Sequence, residues 1–358
     1  MAKIKVIVIG CGNMGSSHAR AYHGIEGFDL CGLVDRDAGR LKALSAELGG
    51  VKTFQTIEEA LTACRPDAAA VCTYPDTHYK LGKQCLEAGL HLFVEKPLAE
   101  TVEQAEEIVS LSEKAGKKVA VGYILHHHPS WQQFTDIART LGKPLVMRMN
   151  LNQQSKDKEW QTHKQLLKSM SPIVDCGVHY VDIMCRMTGS RPTRVQAIGA
   201  RLSDEIDEQM YNYGQLQVMF EDRSVGWYEA GWGPMMSETA YFVKDVIGPK
   251  GCVSIVDPVA QKKEADSADI DSHTSVGMLL RHDAECDAQG NFKKQDTIID
   301  TREEPGHQEL CNREQQHFLK VIREDLDQSE HLHNAVNSLR IVLAADESIR
   351  TGRTVILD

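Results

Sequence analysis

Three short stretches carry residue types whose chemistry goes beyond packing: Gly10-Cys11-Gly12-Asn13-Met14-Gly15, Glu95-Lys96-Pro97, and the run from Asp175 through Cys176, Gly177 and His179 to Asp182. The first is GxGxxG, with which a strand turns into a helix and bares backbone N–H groups to a pyrophosphate. Its first glycine permits the turn, its second the approach of the anion, and its third the packing of helix on strand. Asn13 and Met14, between the glycines, fall within the same expected contact. The second stretch offers an ammonium group, and the third sets Asp175, His179 and Asp182 four and three residues apart on one helix face. An imidazole titrating near about 6.5 can take an alcohol proton at neutral pH, and an ammonium can hydrogen-bond the oxygen that loses it. This set suits oxidation of a secondary alcohol beside a nicotinamide.

A cofactor of that kind needs a doubly wound parallel sheet, and residues 3–124 supply the pattern. Strands are expected at Lys3–Ile9, Leu30–Asp35, Ala68–Thr73, Leu90–Glu95 and Lys118–Gly122. Between them fall helices at Met14–Gly24, Gly39–Leu48, Ile57–Cys64, Thr77–Ala88 and Thr101–Ala115. Asp35 ends the second strand, where a carboxylate accepts from both ribose hydroxyls, which favours NAD over NADP. Arg36 beside it can stack on adenine or meet a 2′-phosphate, so NADP stays open. Thr73, Pro75 and His78 lie at and just after the end of the strand Ala68–Thr73, and Glu95 and Lys96 at the carboxyl end of Leu90–Glu95, where ligands of such sheets bind.

Past residue 125 the texture changes. A helix at Asp175–Thr188 precedes β-type stretches at Arg194–Arg201, Tyr211–Phe220, Ser224–Ala230, Tyr241–Gly248 and Cys252–Val256, the mark of a mainly antiparallel sheet. Pro258–His273 and Asp283–Lys294 read as solvated excursions, and helices return at Gln308–Glu324 and Ser329–Ile349, with a last short strand at Thr354–Leu357. The division expected is residues 1–124, a dinucleotide domain, and 125–358, a substrate and oligomerisation domain whose C-terminal helix packs back on the first. Gly177 lowers helix propensity by about 1 kcal/mol against Ala, which points to close approach of substrate or cofactor. Trp160 and Trp232 fall in irregular stretches; Trp160, with Gln153 and Gln154, is a candidate substrate contact. His331 and His333 read as helix surface.

Composition limits the partners. Forty Lys and Arg stand against 51 Asp and Glu, a net −11, which argues against nucleic acid. No apolar run reaches the 18 or so residues that cross a bilayer, and the first residues lack a signal peptide's cleavage region. Ten cysteines without a CxxC pair or metal-like spacing fit reduced thiols in the cytoplasm, with no metal expected.

The glycine loop, Thr73-Tyr74-Pro75-Asp76-Thr77-His78, EKP at 95–97, DxGxHxxD at 175–182 and the tail Glu347-Ser348-Ile349-Arg350-Thr351-Gly352-Arg353 together resemble the Gfo/Idh/MocA dehydrogenases of sugars and cyclitols. The resemblance implies a Rossmann domain followed by an α/β domain with a large open sheet, a homodimer or homotetramer, a cis Pro97, and a catalytic group of Lys96, Asp175 and His179. In it His179 accepts the proton, Lys96 binds the reacting oxygen and Asp175 orients substrate or tunes both. Tyr123, His126, Trp160 and Asp182 are the expected substrate contacts. His126 and His127 stand where relatives carry an Arg–aromatic pair, which points away from carboxylated or phosphorylated substrates and towards a neutral sugar, inositol or polyol. Ser171-Pro172 replaces a common Gly pair. Two other readings stay open at this point: redox-assisted cleavage of a glycoside, and a nucleotide-sensing regulator without chemistry.

Overall fold

The computed structural model describes residues 2–237, 243–256 and 274–357. Its contacts divide into two compact units. One runs to His127 and takes back Pro305–Val336; the other is His128–Glu304 with the chain from Asn337 on.

In the first unit, β1 (Ile4–Ile9), β2 (Phe28–Val34), β3 (Thr53–Phe54), β4 (Ala68–Val71), β5 (His91–Val94) and β6 (Val119–Val121) form a sheet in the order β3-β2-β1-β4-β5-β6. Every pairing in it is parallel. Central strands of such a sheet are covered on both faces, which is why β4 is apolar throughout and fully buried. Register then does the positioning. Ile9 pairs with Val71, Val71 with Val94 and Val94 with Val121, so four strands end level. Gly10, Cys72, Glu95 and Gly122 therefore leave the sheet side by side along an edge of about 14 Å, at the usual spacing of strands. The returning helix His307–Arg323 packs on Asn13–Gly24, with Phe318 in the same core as Tyr22, Phe28 and Phe93.

At the opposite edge, His91 Nδ1 accepts from the Lys118 N–H at 3.0 Å. Burial, and then the nearby Lys117 charge, hold its pKa down to about 4. The unfolded chain takes up this proton below the ordinary value of 6.5 while the folded chain resists it, so stability should fall as pH drops from 6.5 towards 4. Urea midpoints across that window test this. His91→Asn, which keeps an acceptor but cannot titrate, should flatten the slope, and equal slopes in the two proteins would refute the assignment.

In the second unit, β7 (Val146–Gln154), β8 (Pro192–Ala200), β9 (Tyr213–Phe220), β10 (Val225–Gly233), β11 (Lys244–Gly248), β12 (Gly251–Ile255), β13 (Met278–Asp283), β14 (Thr297–Asp300) and β15 (Val355–Ile356) form a nine-stranded sheet. Its order is β14-β13-β12-β11-β7-β10-β9-β8-β15, antiparallel except where β7 and β10 run parallel. Helices Pro129–Thr140, Pro172–Asp175 and Gly177–Thr188 lie against it. Val146, Ile198, Ile247, Ile298 and Ile356 are exposed, and a groove of about 460 Å³ is lined by Val146, Arg194, Gln217 and Trp227 among others.

Some expectations change. The expected helix Asp175–Thr188 is two segments interrupted at Cys176, and Trp160 and Trp232 lie in helix Asp157–Leu166 and in β10 rather than in irregular chain. The stretch Pro258–His273 and the start of Tyr241–Gly248 lie outside the described residues.

Candidate active site

The glycine loop is built as its three roles require. Gly10 has φ +90°, and a Cβ there would stand 2.6 Å from the Cys72 carbonyl oxygen; one on Gly15 would stand 1.8 Å from that of Gly10. Both glycines are demanded by the chain's own packing. Gly12 differs: the nearest atom to a Cβ there is Arg40 Nη1 at 3.8 Å, so its face is open. Helix Asn13–Gly24 starts at this opening with no side-chain cap and no acidic residue in its first turn. Its free N–H groups and positive end are thus available to an anion. Asp35 accepts from the Cys11 N–H at 2.6 Å and the Asp37 N–H at 2.8 Å, which fixes its carboxylate beside the loop. Arg36 is exposed. Arg40, four residues on, is the neighbour of Gly12 that sequence reasoning missed; its contact depends on how the helix after Asp37 winds.

Along the level edge, Thr73 lies against Gly10, with its Cγ2 2.9 Å from a Cβ built there. Pro75 opens a 3₁₀ turn, Pro75–Thr77. His78, expected to contact cofactor, is 1% exposed, and its Nδ1 and Nε2 lie 2.7 Å from the Pro97 carbonyl and 3.0 Å from the Thr73 carbonyl. Both ring nitrogens face main-chain carbonyls, one on each loop, and a neutral ring donates to one of them, so its part is to shape the site rather than to touch a ligand. Burial holds its pKa below the ordinary value although both carbonyls favour the proton. Glu95 is likewise buried, 2.7 Å from His18 Nε2 and accepting the Lys96 N–H at 3.2 Å. The Lys96–Pro97 peptide is cis. Tyr123 is buried beside His126, with ring centroids 5.5 Å apart. His331 joins them and accepts the Val121 N–H at 2.9 Å, so it is not the surface residue its helix position suggests.

In the second unit, Ser171 caps the segment that leads to Asp175. Its hydroxyl accepts the Val174 N–H at 3.2 Å and donates to Asp346 at 2.8 Å. From Ile173 to Ile183, Asp175 and His179 are the two partly exposed residues in an otherwise buried stretch. Asp182 is fully buried, which removes it from the accessible face on which substrate contact was expected. The close approach inferred at Gly177 comes from within: a Cβ there would lie 2.9 Å from Tyr228 Cε1. Trp160 packs with Leu167, Cys176, Ile206 and Trp232, and its indole donates to Glu205 at 3.2 Å. It is a core residue rather than an open stacking face. Gln153 accepts from Trp232 Nε1 at 2.7 Å and from Cys176 Sγ at 3.3 Å, and the Gln154 amide donates to the Met236 carbonyl. Lys96 belongs to the first unit, and Asp175 and His179 to the second.

Residues 4–123 match the family model described as oxidoreductase family, NAD-binding Rossmann fold, and residues 138–253 match the GFO/IDH/MocA C-terminal domain. The chain belongs to the GFO/IDH/MocA family of oxidoreductases. It is 26% identical over 208 residues to UDP-N-acetylglucosamine 3-dehydrogenase of Acidithiobacillus ferrooxidans, across 58% of this chain and 62% of that protein. Against scyllo-inositol 2-dehydrogenase (NAD(+)) of Bacillus subtilis it is 25% identical over 369 aligned positions, across 99% of this chain and 97% of that one. The match spans little more than half the length of several curated relatives, as with the 54% of D-glucoside 3-dehydrogenase of Escherichia coli. Among solved structures, myo-inositol 2-dehydrogenase of Lactobacillus plantarum has the same fold, with a TM-score of 0.78 at 18% identity over 99% of this chain and 100% of that one.

Among the described residues no cysteine is in a disulfide, no three His, Cys, Asp or Glu form a group that could hold a metal, and no helix is long and apolar enough to cross a membrane.

Proposed function

We propose that this protein is an NAD(H)-dependent dehydrogenase acting on a secondary alcohol carbon of a neutral sugar, inositol or related polyol. The observation that carries the reading is the pairing of partial exposure with chemistry: on a buried helical stretch, the two positions left accessible are Asp175 and His179.

Gly10, Gly12 and Gly15, the free N–H groups from Asn13 on and Asp35 would hold the cofactor, and the open face of Gly12 fits a pyrophosphate. Bound there, the nicotinamide supplies the hydride acceptor. The remaining work falls to side chains. His179 takes the hydroxyl proton, Lys96 donates a hydrogen bond to the oxygen as negative charge grows on it, and Asp175 orients the substrate and favours the charged forms of both. Asp35 supports NAD ahead of NADP. Arg40→Ala should weaken NAD binding about tenfold through loss of a charge-assisted contact. An unchanged dissociation constant by calorimetry would remove Arg40 from the site.

The domain division proposed is 1–124 and 125–358, with the helix at 307–323 returning to the first. The protein is proposed to work in the cytoplasm as a homodimer or homotetramer that covers the exposed isoleucines of the nine-stranded sheet, and a monomer in sedimentation equilibrium would exclude this. The activity is tested by following NADH absorbance across inositols, hexoses, pentoses and their glycosides with NAD and with NADP. Turnover of one neutral stereochemistry supports the reading. Tight NAD binding with no turnover across the panel would sink it.

A further inference from the structure

Beneath Lys96 lies a chain of buried polar groups drawn from three parts of the sequence. The Tyr22 hydroxyl donates to Gln315 Oε1 at 2.5 Å. With the amide oxygen at the phenol, Gln315 Nε2 faces His18 Nδ1, at 3.0 Å. An amide NH₂ has only protons to offer, so Nδ1 must accept. The one proton of a neutral imidazole then sits on Nε2, which lies 2.7 Å from Glu95 Oε1. Glu95 Oε2 accepts the Lys96 N–H at 3.2 Å, so both carboxyl oxygens accept, as an ionised group does. His18 and Gln315 are 0% exposed and Glu95 6%, so the chain is shielded from bulk solvent.

A second carboxyl, Glu314, is 3% exposed, and its Oε1 has no hydrogen-bond partner among the described residues. Burial first, and the charge of Glu95 second, push its pKa well above the usual carboxylate range. Titratable groups around Glu95 include Lys96 itself, Tyr22 on the helix Asn13–Gly24, Cys72 after β4, His78 on its helix and Cys311 beside Glu314. Burial keeps the phenol and both thiols protonated and favours neutral His78. Two carboxyls sharing a dry site hold one charge between them, and the donors single out Glu95 to carry it.

We infer that His18 and Gln315 are positioning residues that hold Glu95 as a fixed carboxylate against the Lys96 main chain, so that the ammonium of Lys96 is both placed and kept charged. The role assigned to Lys96 rests on the function proposed above; the tautomer of His18 does not. This also gives a purpose to the return of Pro305–Val336 to the first unit, since that segment delivers Gln315.

Nitrogen-15 NMR of the full chain, with labelled histidine and His18 assigned by its loss in His18→Gln, reads the tautomer directly. The expected result at neutral pH is a ring protonated on Nε2 and not on Nδ1; a proton on Nδ1 would overturn the inference whether or not any alcohol is oxidised. In kinetics, His18→Leu removes the Nε2 donor from Glu95 Oε1, which weakens the hold on the charged form of the buried carboxyl. The basic limb of the kcat profile should move down by about one pH unit with kcat at least tenfold lower and NAD affinity within threefold. His18→Gln, which restores an N–H near the Nε2 position, should recover most of both. Loss of kcat with an unmoved pH profile would mean a structural role only and overturn the proposal. Should His18→Leu not fold, the NMR result on the unaltered chain decides alone.

Discussion

Lys96→Ala should lower kcat/KM for the preferred alcohol by at least about a thousandfold, while the dissociation constant for NAD moves less than about threefold. The asymmetry follows from how the main chain is held. On one side the Lys96 N–H is fixed by Glu95, and on the other the Pro97 carbonyl lies 2.7 Å from His78 Nδ1. Truncating the side chain beyond Cβ disturbs none of these bonds, so the loop stays in place. In the role proposed for Lys96, what disappears is a charged donor to an oxygen whose negative charge develops in the transition state, the kind of interaction that raises kcat without raising ground-state affinity. Lys96→Arg should remain at least about a hundredfold impaired, because a planar fork cannot present a point charge at the same place. Stopped-flow turnover with calorimetry of NAD separates the two quantities. Full activity in Lys96→Ala would end the dehydrogenase reading, and a matching collapse of NAD binding would show that the lysine serves the cofactor.

Much of this site is legible in the sequence where the backbone dictates residue type. GxGxxG can be read because two of its glycines have no room for a Cβ, and the six-stranded sheet because buried parallel strands must be apolar runs between helices. The second unit is harder. Strand β7 reads Val-Met-Arg-Met-Asn-Leu-Asn-Gln-Gln, with a single β-branched residue, and is a strand only because β10 and β11 flank it on either side. Tertiary pairing overrides propensity there. The helices Pro129–Thr140 and Asp157–Leu166 escape for a related reason, since their apolar faces are short and polar residues dominate the second.

Single residues fail where the deciding neighbour is distant in the chain. Trp160 looks like a stacking face until Trp232 and Ile206 are seen against it, and His331 looks solvated until its ring is found accepting the Val121 N–H. Arg40 carries no motif and is found only through the open face of Gly12. Glu314 shares the buried stripe of Leu310, Cys311 and Phe318 while Glu309, five residues earlier, faces out, yet a charged residue type argues against burial and hides it in the sequence.

The same lesson gives the second large effect, at Gly177. Its Cβ-free face meets Tyr228 Cε1 at 2.9 Å and Cδ1 at 3.2 Å from where a methyl would stand. Tyr228 cannot step aside: it is fully buried and stacked on Tyr180 at 5.3 Å, and Tyr180 in turn lies under the Lys244 ammonium, 5.4 Å from its ring centre. Burial lowers the Lys244 pKa to about 7, so this stack sits in a dry interior with little slack. In Gly177→Ala the helix must therefore move, by roughly half an ångström to reach ordinary contact, and it carries His179 with it. Displacements of about 1 Å at reacting groups cost about a hundredfold, so kcat should fall by about ten- to a hundredfold. Helix propensity favours the alanine by about 1 kcal/mol, yet overpacking costs about 1–3 kcal/mol, so the melting temperature should stay level or drop. Replacing the obstacle decides the cause. Tyr228→Val in the same chain makes room for the methyl, and kcat should recover beyond what the two single substitutions predict together. If instead KM rises and Tyr228→Val restores nothing, the space at Gly177 belongs to the substrate and not to the tyrosine.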